Sequence, residues 1–265
     1  MNYFDDERKI IDIFQDCRGL GTCYATFSFR AQRVCNAIID RRKWRQWVYN
    51  ARTSDPPPDF YSEKYGLMME VMRVDDHAHV NDKGILVNPV NERESKVQKE
   101  IKENFKKNHP ELNIDKLDIM VNAVTDLPSR EDHNYLFYYE NFKRTVEKHI
   151  SKIPLYRQNH PDKKLIFFVF DESTAYLRVD DKELAQRGPI PLEKFWGVPQ
   201  CFFADARFME VFRGADIDFL IWFAPYKMIH GRKRQLPKIV VFDMKKYKFQ
   251  PLIDYPLEYM VSSEA

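Results

Sequence analysis

Apolar positions recur along this chain with two different periods, and the switches between them divide it into helices and strands. Asp5 to Gln15 gathers Ile10, Ile11, Ile13 and Phe14 on one side of a helix, and Gly19 and Gly21 end the segment. From Phe29 to Asn50, the positions Val34, Ala37, Ile38, Trp44, Trp47 and Val48 keep a period of roughly 3.6 residues, which predicts a second helix. Asp55 followed by Pro56, Pro57 and Pro58 stops it and forces an extended entry into the next segment. Asp59 to Val74 then reads as two strands or one hairpin, with Tyr65 to Val74 the stronger half.

Further along, Glu92 to Asn108 is a charged helix closed by His109-Pro110, and Leu117 to Val124 reads as a strand. Tyr135 to Leu155 is a long helix and Lys164 to Phe170 a buried strand. Leu192 to Trp196 and Ala204 to Phe212 read as short helices, and Asp218 to Phe223 and Lys238 to Phe242 as the last strands. Strands alternating with helices predict an α/β fold, a mixed sheet flanked by helices on both faces. There is no internal repeat, so residues 1–265 read as a single α/β domain, loosest near Asp126 to Asp132.

Composition changes this picture only by exclusion. At 265 residues and 44% hydrophobic, the chain has enough apolar surface to fold on its own. A net charge of +2 selects no partner, so any nucleic-acid binding must come from local clusters. Cys17, Cys23, Cys35 and Cys201 form no CxxC pair and read as free thiols. The first nine residues have no apolar core and do not look like a signal peptide. No apolar run approaches the roughly 20 residues of a membrane helix, so a cytoplasmic location without a membrane partner is expected.

The informative stretch is Asp59 to Val74. Alternation puts Met68, Glu70 and Met72 on one face and Met69, Val71 and Arg73 on the other. Both faces are largely apolar, so Glu70 belongs to a covered strand, where a carboxylate is costly unless it is paired or binds a metal. Upstream stands Pro58-Asp59-Phe60, and Leu67-Met68-Met69-Glu70-Val71 follows. This arrangement resembles the PD-(D/E)XK, or restriction-endonuclease-like, nucleases. There a Pro-Asp opens one strand, and the next, hydrophobic strand carries an acid, any residue and a lysine.

The resemblance implies a restriction-endonuclease-like core in which Asp59 and Glu70 are catalytic carboxylates holding Mg2+ or Mn2+. The metal would activate a water for attack on a phosphodiester. The lysine position is Met72, which can do neither of a lysine's jobs. Lys64, Lys96 and Lys99 are candidates to replace it, with Gln98 as a supporting residue on the following helix. The competing reading makes Asp59 a turn cap and pairs Glu70 with an arginine from the Arg41 to Arg45 cluster.

Two basic segments could meet a phosphate backbone. Arg41, Arg42, Lys43 and Arg45 are interleaved with Trp44 and Trp47, and Arg232, Lys233 and Arg234 form a second cluster. Each reads equally as a solvated charged surface, with the tryptophans turned to the core.

Other motifs are weaker. Asp171-Glu172 after a buried strand looks like a Walker B pair, but no GxxxxGK[ST] loop accompanies it. His77-Ala78-His79, after Asp75-Asp76, offers metal-capable groups with no obvious further ligand and reads as an exposed turn. Asp216-Ile217-Asp218 precedes its strand and is discounted as a sugar-nucleotide motif.

Together these features lead to the expectation of a nucleic-acid-binding protein with a nuclease-like metal site. Whether it is an active enzyme stays open. A protein-interaction module in which Asp59 and Glu70 lie apart, and a nucleotide-binding protein built on Asp171 and Glu172, are the alternatives.

Overall fold

The computed structural model describes residues 6–17, 23–25, 28–50, 58–81, 83–110, 133–180, 197–229, 236–249 and 252–263. Helix α1 (Glu7–Asp16) starts at Asp6, whose side chain accepts from the Arg8 amide, and it turns Ile10, Ile11 and Phe14 inward. Strand β1 (Cys23–Ala25) follows, then helix α2 (Phe29–Ile39), capped by the Ser28 hydroxyl.

The long second helix expected from periodicity stops at Asp40. Its backbone is extended (φ −82°, ψ 107°), and its carboxylate accepts from the Arg42 amide at 3.0 Å to start the single turn α3 (Arg41–Trp44). An aspartate is a better N-cap than a mid-helix residue, so the helix breaks and restarts. The chain then enters strand β2 (Val48–Tyr49).

The hairpin predicted from alternation is present as β3 (Phe60–Ser62) and β4 (Leu67–Val74). Its turn closes through the Gly66 amide bonding the Glu63 carbonyl at 3.3 Å, with Gly66 at φ +59°, where a side chain is disfavoured. A small hairpin, β5 (His79–Val80) with β6 (Leu86–Val87), precedes helix α4 (Pro89–Asn108). The expected strand at Leu117 to Val124 and the short helix at Leu192 to Trp196 lie outside the described residues.

The long helix at Tyr135 is divided into α5 (Tyr135–Ile150) and α6 (Ile153–Asn159). Pro154 explains the break, because it fits the first turn of a helix but not its interior. Strand β7 (Lys164–Asp171) follows, with β8 (Tyr176–Arg178) and β9 (Val198–Pro199) in a small second sheet. Helix α7 (Ala206–Glu210), strands β10 (Phe219–Phe223) and β11 (Ile239–Asp243), and β12 (Met260–Ser262) complete the order.

The main sheet has seven strands in the order β1-β11-β10-β7-β4-β3-β2. It is mixed: β4, β7 and β10 run parallel, while the β2-β3-β4 end and the β10-β11 pair are antiparallel. Helices cover both faces. On one, Phe14 meets Phe168 edge-on at 5.0 Å and Phe223 at 5.2 Å, joined by Val34 and Ile38 of α2. On the other, Tyr138, Phe142 and Val146 of α5 pack on Met68, Met72, Phe167, Val169 and Trp222. Among the described residues no helix is long and apolar enough to cross a membrane.

Phe142 stacks on Trp222 with ring centroids 4.9 Å apart, and Phe208 and Phe212 meet it edge-on. Phe142→Ala is expected to cost about 3–5 kcal/mol of stability. Urea denaturation checks this: the midpoint should fall with an unchanged slope.

Candidate metal centre

The hairpin register decides where the two carboxylates go. Phe60 stands opposite Met69, and one step beyond that pair Asp59 comes opposite Glu70. Glu70 lies between Met68 and Met72 on the α5 face and is only 3% exposed. Asp59 is half-buried at the mouth of the hairpin, with Oδ2 accepting from the Val71 amide at 2.8 Å.

The competing reading paired Glu70 with an arginine. Glu70 does not meet an arginine; its Oε1 lies 2.8 Å from Nδ1 of His149, near the end of α5. The same nitrogen is 3.3 Å from the Tyr156 hydroxyl on α6. Glu70 Oε2 is buried and has no hydrogen-bond partner among the described residues. A buried carboxylate oxygen left in that state is costly unless a cation completes it.

The electrostatics agree with that geometry. Burial, then the Glu70 charge, pushes the Asp59 carboxyl up to about 8, and Glu7 in the first turn of α1 adds to the effect. The Val71 amide and the Lys152 ammonium work in the opposite direction without cancelling it. Burial, the Glu70 charge and a side-chain hydrogen bond with Glu70 push the Tyr156 phenol far above its ordinary range. The two carboxylates thus repel each other, and Asp59 is held toward its neutral form.

His149, Lys152 and Tyr156 were missed by motif reasoning. They occupy successive turns across the α5–α6 junction, where the Lys152 amide bonds the His149 carbonyl at 3.1 Å and the Tyr156 amide bonds the Lys152 carbonyl at 3.2 Å. Their spacing of three and four residues puts them on one helical face, the only sequence signal available for them.

The other sequence candidates are placed as follows. Lys64 lies in the turn at the far end of the hairpin, its ammonium 5.9 Å from the Tyr65 ring centre. Leu67 to Glu70 alone spans about 10 Å of strand, so Lys64 does not reach the pair. Lys96 and Lys99 are exposed on α4, where Lys99 lies 3.9 Å from Glu103.

Trp44 and Trp47 stack on each other at 5.2 Å, and Trp44 packs on Phe60 at 5.0 Å. The Trp47 indole donates to the Ala37 carbonyl at 3.0 Å, so both rings serve the core. Arg42 and Arg45 are exposed just ahead of edge strand β2, whereas Arg41 is held by Asp16 at 2.6 Å. Arg232, Lys233 and Arg234 lie outside the described residues.

The acids that suggested nucleotide binding are engaged inside the protein. Asp171 Oδ2 accepts from the Tyr138 hydroxyl at 2.5 Å and the Trp222 indole at 2.8 Å, and Oδ1 from the Ser173 amide and hydroxyl. The buried Lys227 ammonium stands 3.4 Å from Oδ2. Glu172 is held by the Arg73 guanidinium through two nitrogens.

No protein-family model matches the chain, nor does any curated protein or solved structure. The site must therefore be read from its own geometry.

A carboxyl raised in the folded state favours folding while it is protonated and loses that contribution as pH rises through its folded value. In chelator, the stability contributed by Asp59 should decline between about pH 4 and pH 8. Asp59→Asn should flatten that decline and raise Tm by several degrees at the alkaline end. Thermal melts of both proteins across this range check it, and parallel curves would count against the charge coupling.

Proposed function

We propose that this protein acts on nucleic acid through a divalent cation held by Asp59 and Glu70, in a restriction-endonuclease-like core. The observation that carries the reading is the juxtaposition of the two carboxylates, with one buried oxygen that has no hydrogen-bond partner among the described residues. It occurs on a hairpin whose first strand opens with Pro58-Asp59 and whose second is hydrophobic and central. The interaction-module alternative required the two acids to lie apart.

The donor set suits Mg2+ or Mn2+: hard carboxylate oxygens, from buried Glu70 and half-buried Asp59. When bound, such an ion supplies a nucleophilic water at neutral pH and a counter-charge for a phosphoryl oxygen. Asp59 and Glu70 would hold it, and His149 fixes the Glu70 rotamer through Oε1, leaving Oε2 for the ion.

Lys152 is the best replacement for the lysine absent at Met72. It is half-buried at the start of α6, and its charge already acts on Asp59. From there it can orient a water or stabilise the developing phosphorane charge, the role for which Lys64 is too distant. The exposed Arg42, Lys43 and Arg45 precede edge strand β2, which pairs with the first strand of the hairpin, and would meet the phosphate backbone.

Manganese calorimetry and cleavage of single- and double-stranded DNA and of RNA test this directly. Glu70→Gln should weaken manganese binding at least tenfold and abolish cleavage. Lys152→Met should retain metal and lower the cleavage rate by about 10²-fold. Wild-type protein that binds no manganese would overturn the reading. Metal binding without cleavage of any substrate would reduce it to a nucleic-acid-binding role, read from retardation of the same substrates.

A further inference from the structure

The carboxyl ends of β4 and β7 carry a second constellation, unrelated to Asp59 and Glu70. Asp76 is fully buried just after β4. Its Oδ2 accepts from the Thr174 amide at 3.1 Å, the Thr174 hydroxyl at 3.2 Å and the Tyr176 hydroxyl at 2.8 Å. Three donors on one oxygen fix the carboxylate and aim Oδ1 the other way. There it meets Nδ1 of His133 at 3.2 Å and Nε2 of His77 at 3.5 Å. All three ligand-capable atoms lie within 4.8 Å of one another, and the two imidazole centres are 4.6 Å apart.

The backbone holds both histidines in place. Asp75 Oδ1 accepts from the amides of His77 and Ala78 at 3.2 and 2.9 Å and from the Asn141 amide at 3.1 Å. These bonds fold the 75–78 loop back over Asp76. His133 immediately precedes Asn134, the cap of α5, whose own amide reaches the Asp76 carbonyl at 3.5 Å. His133 therefore comes from a distant segment, with no signal beside the His77-Ala78-His79 motif. His79 stacks instead on Phe137, ring centres 4.6 Å apart.

We infer that Asp76, His77 and His133 form a zinc-class metal site, distinct from the magnesium- or manganese-type pair at Asp59 and Glu70. Ligands at about 2.1 Å around a tetrahedral ion stand about 3.4 Å apart, and the two Asp76–histidine separations bracket that value. Two imidazoles and one carboxylate suit zinc or cobalt over magnesium. The hydroxyl and amide donors on Oδ2 form the outer support such sites use to orient a ligand. Three protein ligands leave a fourth position for water or an anionic oxygen. The side chains of His77 and His133 remain 17% and 15% exposed, which gives that position a route to solvent.

Cobalt(II) titration followed by visible absorption tests the assignment. Wild-type protein and Glu70→Gln should each take up cobalt with the strong bands of four-coordinate nitrogen–oxygen ligation, displaced by zinc and not by magnesium. The double variant His77→Gln/His133→Gln should lose those bands while circular dichroism in chelator stays unchanged. The single variant His77→Gln, at a half-buried position, should weaken cobalt binding at least tenfold and serves where the double variant fails to fold. Wild-type protein showing only the weak bands of six-coordinate cobalt, or a His77→Gln variant binding as tightly as wild type, would overturn the inference.

Discussion

The parallel ladder between β4 and β7 runs from Leu67 opposite Lys164 to Val74 opposite Asp171, and helices cover it on both faces. Both strands must therefore be apolar nearly throughout, and any polar group they carry has to be satisfied within the protein. Asp171 meets that demand fully, through Tyr138, Trp222 and Ser173. Glu70 meets it only in part: His149 bonds one oxygen, and among the described residues the other has no hydrogen-bond partner. The contrast between these two acids in the same ladder sets Glu70 apart.

The ladder also organises the rest of the chemistry by depth. Midway along β4, the hairpin brings Asp59 across to Glu70, and the α5–α6 junction supplies His149, Lys152 and Tyr156 from above. At the carboxyl ends of the strands, the chain leaves the sheet through Asp75-Asp76 and through Ser173-Thr174, which bond to each other and to residues of α5. Burial would push the Asp76 carboxyl up, but His133, His77 and the Tyr176 hydroxyl outweigh it and hold Asp76 well below the usual carboxylate range. Burial and the neighbouring Glu70 charge push the Asp59 carboxyl up, whereas the imidazoles and a phenol hold Asp76 down.

Much of this was legible in the sequence where periodicity decides it. Alternation placed Met68, Glu70 and Met72 on one face of β4, and the buried run at Lys164 gave β7. Local capping chemistry was less visible: Asp40 breaks a helix that apolar spacing alone would continue to Asn50. Long-range partners were not legible at all. Nothing in the spacing of His149 from Glu70, or of His133 from Asp76, shows that they meet, since the fold sets those contacts through the crossover from β4 to β7. The same limit hides Lys152, whose charge reaches Asp59 although the two lie far apart along the chain.

Anomalous diffraction from crystals grown with manganese measures the central claim most directly, because it locates the ion without reference to activity. The account predicts a peak between the Asp59 and Glu70 carboxylates, within bonding distance of Glu70 Oε2. A manganese-saturated crystal with no peak at that pair would contradict it.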